Sequence, residues 1–281
     1  MKNDNAALLR TNQLLIYVVL VLFFALTVVP IWLMLVNGTR STAEIQGGLS
    51  LLPSTHLVEN WTNLTNRGFQ ISQGFVNSTF VSLSATLLSV YFSALTAYGL
   101  TMYTYRGRGA LFKLVLVLIA IPPQLGLIGF YRYMSDLGLL DNYLPLILPA
   151  IAAPSTVFFL AQYIKGVIHP DLLDAARIDG SGEFATFNRI MVPILAPGMA
   201  TMGIFTFVGV WNNFITPYIL ISNKNLYTLP MLVQLLRTDI YKTEFGSIYL
   251  GIGVSVVPLL VFYAFASKYI ISGVTVGSVK E

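Results

Sequence analysis

HPDLLDAARIDGSGEFATFNRIMVP, residues 169–193, is a charged stretch set between two long apolar runs. It holds four of the chain's twelve acids: Asp171, Asp174, Asp179 and Glu183. Such a segment has no place in hydrocarbon, so it faces water or a soluble partner. Pro170 suits the first turn of a helix, where its missing N–H costs nothing. Leu172, Leu173, Ala175, Ala176 and Ile178 then recur at near-helical spacing, with Asp171, Asp174 and Arg177 on more polar faces. Gly180 is placed to stop that helix with a positive φ. Glu183 comes early in a second short helix, at the end where the dipole favours negative charge. Pro193 marks the start of the next apolar span. The adjacent Ala175 and Ala176 would let another surface approach closely. Spacing alone fits a plain helical hairpin in water equally well.

The surroundings are apolar. Of 281 residues, 56% are hydrophobic and only 10% charged, against about 25% charged in ordinary soluble domains. The expected class is an all-α membrane protein. No cysteine is present, which excludes a disulfide framework, a thiolate metal site and a cysteine nucleophile. His56 and His169 stand far apart and make a poor metal site. The net charge of +4 reports membrane orientation sooner than nucleic-acid binding, and no basic groove with interleaved aromatics is visible.

Six spans are expected: 14–36, 76–103, 112–133, 144–164, 194–221 and 247–271. Each exceeds or approaches the roughly 20 residues needed to cross hydrocarbon. The first is too long for a signal-peptide core and lacks a small-residue cleavage site. Pro30 is expected to kink it, and Pro122-Pro123 to break the third span. Residues 37–75 form a polar excursion. Their Asn-x-Ser/Thr triplets, with that at Asn77 just beyond, read as chance in an Asn- and Thr-rich loop. Six spans put both termini on one side. With the N-terminus inside, Lys2, Arg10, Arg106, Arg108, Lys113, Lys165, Arg177, Arg189, Lys268 and Lys280 are cytoplasmic. Arg40, Arg67, Arg132, Lys224, Arg237 and Lys242 are then external. That bias favours both termini and residues 165–193 in the cytoplasm. The layout is a tail at 1–13, a six-helix domain at 14–271 and a second tail at 272–281.

No Asp or Glu lies within any expected span, which argues against a proton relay. No Gly-x-x-x-x-Gly-Lys-Ser/Thr occurs, so the chain has no phosphate-cradling loop of that kind. No Ser/His/Asp set or carboxylate pair is placed for catalysis. The chain moves or anchors something without a visible engine and is not expected to be an enzyme.

Asp174-Ala175-Ala176, three residues, Gly180, nine residues, Ile190-Met191-Val192-Pro193 resembles the signature of ABC importer permeases. That signature is Glu-Ala-Ala, three residues, Gly, nine residues, Ile-x-Leu-Pro. Asp174 replaces Glu and Val192 replaces Leu, each keeping charge or apolar character. Further segments look like the carbohydrate branch: Glu59-Asn60-Trp61, Asn77-Ser78, Ala97-Tyr98-Gly99, Arg106-Gly107-Arg108-Gly109, Pro122-Pro123-Gln124 and Leu137-Gly138-Leu139-Leu140. So do 207–214 (FVGVWNNF), Tyr227-Thr228-Leu229-Pro230 and the tail 272–280. Six spans with a short first outer loop look like the smaller, second permease of a maltose-type pair.

The resemblance implies a type I ABC importer permease fold and a division of labour in a bacterial or archaeal cytoplasmic membrane. A second, related permease completes a heterodimeric pore in the lipid bilayer. A dimer of ABC ATPases binds ATP-Mg below, so no cofactor is expected on this chain. An extracytoplasmic solute-binding protein delivers sugar above. The implied ATPase-coupling residues are Asp174, Ala175, Ala176, Gly180, Ile190 and Pro193. The tail, with Gly273, Gly277 and Lys280, is a second candidate contact. ATP closes the ATPase pair, and the spans follow by population shift.

Trp211, Asn212 and Asn213 are expected mid-span in the fifth span. Adjacent amides there face protein or a water path, either meeting sugar hydroxyls or bonding helix to helix. Gln124 carries the same two readings. Asn77 and Ser78 read better as a cap or as helix-to-helix bonding. The competing class is an ion-coupled secondary sugar transporter, which inverted repeats would favour; no repeat is found.

Overall fold

The computed structural model describes residues 2–66, 70–169, 171–238 and 244–275. In chain order the α-helices are α1 (Lys2–Asn37), α2 (Thr42–Gln46), α3 (Leu57–Asn66), α4 (Ile71–Met102), α5 (Arg108–Ala120), α6 (Leu127–Asp136), α7 (Leu144–Ile147), α8 (Pro154–Val167), α9 (Asp171–Ile178), α10 (Glu183–Thr186), α11 (Val192–Trp211), α12 (Ile215–Leu220), α13 (Leu229–Thr238) and α14 (Phe245–Thr275). Among the described residues there is no β-strand. Two compact units result, Met1–Gln70 with Val233–Val256, and Ile71–Leu232 with Val257–Glu281.

Four helical stretches among the described residues are long and apolar enough to cross a bilayer: Gln13–Asn37, Ile71–Met102, Leu144–Val167 and Glu183–Trp211. The expected third span is not one straight crossing. Arg108–Ala120 and Pro123–Asp136 meet at 87°. Ile121 and Pro122 are extended there, because a residue preceding proline avoids the helical region and two prolines supply no N–H. The expected span at 247–271 falls within the 31-residue helix α14, whose described apolar stretch is Phe245–Val261. Among the described residues, then, four helical stretches and one bent pair are long and apolar enough to cross a bilayer, the bend falling at the expected Pro122-Pro123 break.

The first unit is a bare helix with a tightly bonded cap. Side chains from Leu14 to Phe24 are all exposed, a surface that only lipid or another helix can cover. The chain turns at Gly38, where an added Cβ would lie 3.2 Å from Leu250 Cα. Buried Arg40 donates to Asn37 Oδ1 (3.0 Å), to the Glu44 carbonyl and to the Gly48 carbonyl (3.0 Å). Those acceptors offset the cost of burying a charge. Ser41 and Glu44 form a capping box that starts α2. The Asn60 amide donates to the Gly38 and Arg40 carbonyls at 2.9 Å each. Gly246 packs against Arg40 and Asn60, so a Cβ there would meet Arg40 O at 2.2 Å.

The second unit is built on α4, with α8 and α11 packed against it. Ser78, Ser82, Ala85, Ser89, Ser93 and Ala97 are all buried on α4. They recur every three to four residues, so one face stays small and neighbouring helices approach closely. Gly203 of α11 sits where a Cβ would touch Thr86 and Val90 at 3.6 Å. Near the start of α4, Asn77 Nδ2 donates to the carbonyls of Asn225 (2.9 Å) and Tyr227 (3.0 Å). Ser78 Oγ accepts from Leu229 N–H at 2.8 Å. Both side chains bond chain to chain. Near its other end, Ala94, Ala97 and Tyr98 share a core with Leu160, Ile164, Leu173, Phe187, Met191 and Leu195. That core holds residues 171–193 in place.

Candidate functional site

Eight residues, Asp171–Ile178, form α9. Leu173 and Ala176 are buried, Leu173 in the core just described, and Leu172 packs against it. Truncating a buried Leu such as Leu173 costs about 2–5 kcal/mol. The opposite face is open: Asp171, Asp174, Ala175 and Ile178 are exposed, with Ile178 86% exposed. The two alanines thus divide. Ala175 faces outward, whereas Ala176 is buried against the chain itself.

Gly180 ends α9. Its φ is +75°, a region costly for L side chains. Gly180 N–H bonds the Arg177 carbonyl at 3.0 Å and Ser181 N–H bonds the Ala176 carbonyl at 2.9 Å. This pair of bonds is a Schellman-type termination. Pro170, read as opening the helix, lies outside the described residues.

Pro193 lies in the first turn of α11, and the chain is already helical before it, continuously from Glu183 to Trp211. The turn before it, Phe187–Met191, is π-helical. That wider winding absorbs the proline, whose ring would otherwise clash with the Arg189 carbonyl four residues back. Ile190 is half-buried and Pro193 is exposed, both beyond α9.

A polar network holds the loop to the far end of α4. Arg177 bonds Glu183 Oε1 through Nη2 (3.1 Å) and Nε (3.3 Å), and lies 3.4 Å from Asp174 Oδ1. Glu183 Oε2 accepts from the Tyr103 hydroxyl. Burial, then the bond to Glu183, pushes the Tyr103 phenol well above its usual range, so it stays protonated and donates. Tyr103 and Tyr98 hydroxyls share a hydrogen bond of 2.9 Å, and Arg177 lies over the Tyr103 ring at 5.8 Å. Further along α4, Tyr91 Oη donates to Asn188 Oδ1 at 3.0 Å. Tyr91 and Tyr98 both pack on the Phe187 ring. Sequence reading missed these tyrosines. Their spacing along α4 (91, 98) was the available signal, but an aromatic stripe at that spacing is usually core.

Of the residues singled out as a substrate path, Trp211 and Asn213 line one small cavity, and Asn212 and Gln124 lie at helix breaks. Trp211 is the last residue of α11, buried, and stacked on Phe207 at 5.6 Å. Asn212 and Asn213 are therefore not mid-helix; they lie in the break before α12. The Asn213 amide bonds Thr216 on both sides, donating to Oγ1 (3.2 Å) and accepting from N–H (3.3 Å). Asn212 and Gln124 are exposed, the latter in the turn between α5 and α6. Trp211 and Asn213 border a cavity of about 40 Å³ with Ser78, Ser82 and Thr228, room enough for a water molecule but not for a sugar ring. A larger hollow of about 340 Å³ beside Trp211 is lined by Phe75, Leu83, Phe207 and Pro258 and is almost wholly apolar. Gly273 falls within α14; Gly277 and Lys280 lie outside the described residues.

An all-helical core presenting a short, glycine-stopped peg on one face is the architecture of a transport permease. Residues 89–276 match the family described as the binding-protein-dependent transport system inner membrane component, and the chain belongs to that family. It is a non-enzymatic membrane subunit of a multi-component importer. The chain is 35% identical over 270 residues to the arabinooligosaccharides transport system permease protein of Bacillus subtilis, covering 94% of this chain and 95% of that one. It is 31% identical over 265 residues to the diacetylchitobiose uptake system permease protein of Streptomyces coelicolor, covering 93% and 87%. The fold matches a chain in the crystal structure of a bacterial ABC transporter involved in the import of the acidic polysaccharide alginate. The TM-score is 0.81 at 20% identity, over 92% of this chain and 96% of that one. These likenesses favour the ATP-driven importer class over the ion-coupled carrier.

Proposed function

We propose that the chain is one permease of a heterodimeric importer for a small oligosaccharide, driven by a separate pair of ABC ATPases that dock on residues 169–193. The observation that carries this is α9. Its Asp174, Ala175 and Ile178 are exposed, its inner face is locked into the permease core, and Gly180 closes it. A peg exposed on one side and anchored on the other suits a part pushed from outside. The named substrates of the two relatives support the oligosaccharide class. The permease family supports a solute-binding protein on the opposite face.

In this reading both termini and the 165–193 loop are cytoplasmic. ATP and Mg²⁺ sit on the ATPases, and Asp174, Ala175 and Gly180 form the docking surface. Ile190 and Pro193 shape the helix behind that surface. The tail at 272–281 is a second contact. Gln124 and Asn212, polar groups exposed at two helix breaks, are the candidates for touching solute.

The test is reconstitution with the partner subunits in proteoliposomes. Uptake of arabinooligosaccharide or chitobiose probes should require ATP hydrolysis and persist when proton and sodium ionophores are added. Collapse of uptake under ionophore at constant ATP would return the chain to the secondary carriers. Asp174→Lys and Gly180→Trp should insert normally but lose ATPase co-purification; retention in both variants would remove the docking assignment.

A further inference from the structure

The apolar face of α9 explains how the peg is held but not how a push on it is passed on. Apolar contact is non-directional, so Leu173 and Ala176 alone would let the peg shift against the core. The bonded path is different. It runs from Arg177 on α9, through the carboxylate of Glu183 at the start of α10, to the hydroxyl of Tyr103 just beyond α4. Arg177's other acidic neighbour, Asp174, lies on α9 itself, so that pair stays within the peg. Glu183 is thus the hub, with each carboxylate oxygen given to a different element. Charge-assisted bonds of this kind fix distance and direction together.

We infer that Tyr103 and Glu183 are positioning residues through which a displacement of α9 is handed to α4. This rests on the coupling reading above and names residues outside its signature. The bonds reach α4 at its end nearest the peg. The packing of Tyr91 and Tyr98 on Phe187 then extends the grip along that helix, so α4 moves as one body with the peg. Without the Glu183 link the ATPase still docks and still hydrolyses ATP, but the motion dissipates in the loop.

The chain has no cysteine, so one introduced cysteine can carry a reporter. Leu87, 69% exposed on α4, is changed to Cys and labelled with bimane in the complete complex of both permeases and the ATPase pair. In the otherwise unsubstituted complex, ATP-Mg with vanadate should change the bimane emission. In Tyr103→Phe and Glu183→Gln that change should fall about five-fold, the size that losing such a bond supports, while in Tyr103→Phe, outside the 169–193 stretch, ATPase co-purification and ATP hydrolysis per complex hold. An undiminished signal in both Tyr103→Phe and Glu183→Gln would overturn the inference. So would an ATP-silent reporter in the parent complex. Absence of ATPase from that parent complex would instead sink the coupling reading itself.

Discussion

Asn77 and Tyr227 are 150 residues apart in sequence, yet the side-chain amide of the first donates to the main-chain carbonyl of the second at 3.0 Å. The same amide serves the Asn225 carbonyl, and Gln73 donates to its oxygen at 3.0 Å. One buried side chain therefore fixes where the 225–229 turn meets α4. Asn77→Ala would leave two carbonyls without that donor, a loss of about 1–3 kcal/mol. A thermal melt in detergent should show a clearly lower midpoint than the parent, and an unshifted midpoint would show that the turn holds without Asn77.

Gly246 tests the cap of the first unit. A methyl at this position would intrude on Arg40 O at 2.2 Å and on the Asn60 amide at 2.5 Å. Neither can retreat without giving up the bond between them. Gly246→Ala should cost about 1–3 kcal/mol or more as overpacking and lower the yield of monodisperse protein. Gly48→Ala, with open space around it but a φ of +132°, should cost less; equal yields would contradict the packing argument.

At Gly180 the prediction is an order rather than a single value. The left-handed backbone disfavours β-branched residues most and tolerates Asn best. ATPase co-purification should fall in the order parent, Gly180→Asn, Gly180→Val, with Val costing about 1–2 kcal/mol of helix termination. Space does not decide this, since nothing lies within 4 Å of the added Cβ. Recovery of the complex from the Val variant at parental levels would mean the turn is unimportant to docking.

Glu44 gives the first unit a pH signature. The Ser41 N–H, then the Ser54 hydroxyl, hold its carboxyl below the usual 4.5. A carboxyl with a depressed folded value adds stability that is present above its unfolded value and vanishes as pH falls through the folded one. The difference in melting point between parent and Glu44→Gln should be largest near neutrality and should close below 4.5. A difference that stays constant down to strongly acidic pH would remove Glu44 from the cap's electrostatics.

Helix α9 was legible because its signals are local. Asp174 to Gly180 is one helix and its stop, and a glycine at that distance admits few other structures. The break at Pro122-Pro123 was legible for the same reason, although its 87° angle was not. What stayed hidden depends on distant pairs. Tyr103 and Glu183 are separated by 80 residues, and nothing in either neighbourhood announces the other. Pro193 did mark the first turn of α11, but the π turn that joins it to the helix before depends on winding that side-chain periodicity does not report. Trp211-Asn212-Asn213 did mislead. The apolar run continues through them, while the backbone stops to let Asn213 bond Thr216.

The eight-residue length of α9 has a consequence for intervention. A free helix needs roughly 12–15 residues to hold its shape in water, so a synthetic copy of 169–193 would be largely unwound. On the docking proposed above, it would compete feebly for the ATPase. A hydrocarbon-stapled peptide, clamped where Leu173 and Ala176 are normally seated, would carry its order with it and, if the proposed docking holds, should block the transporter.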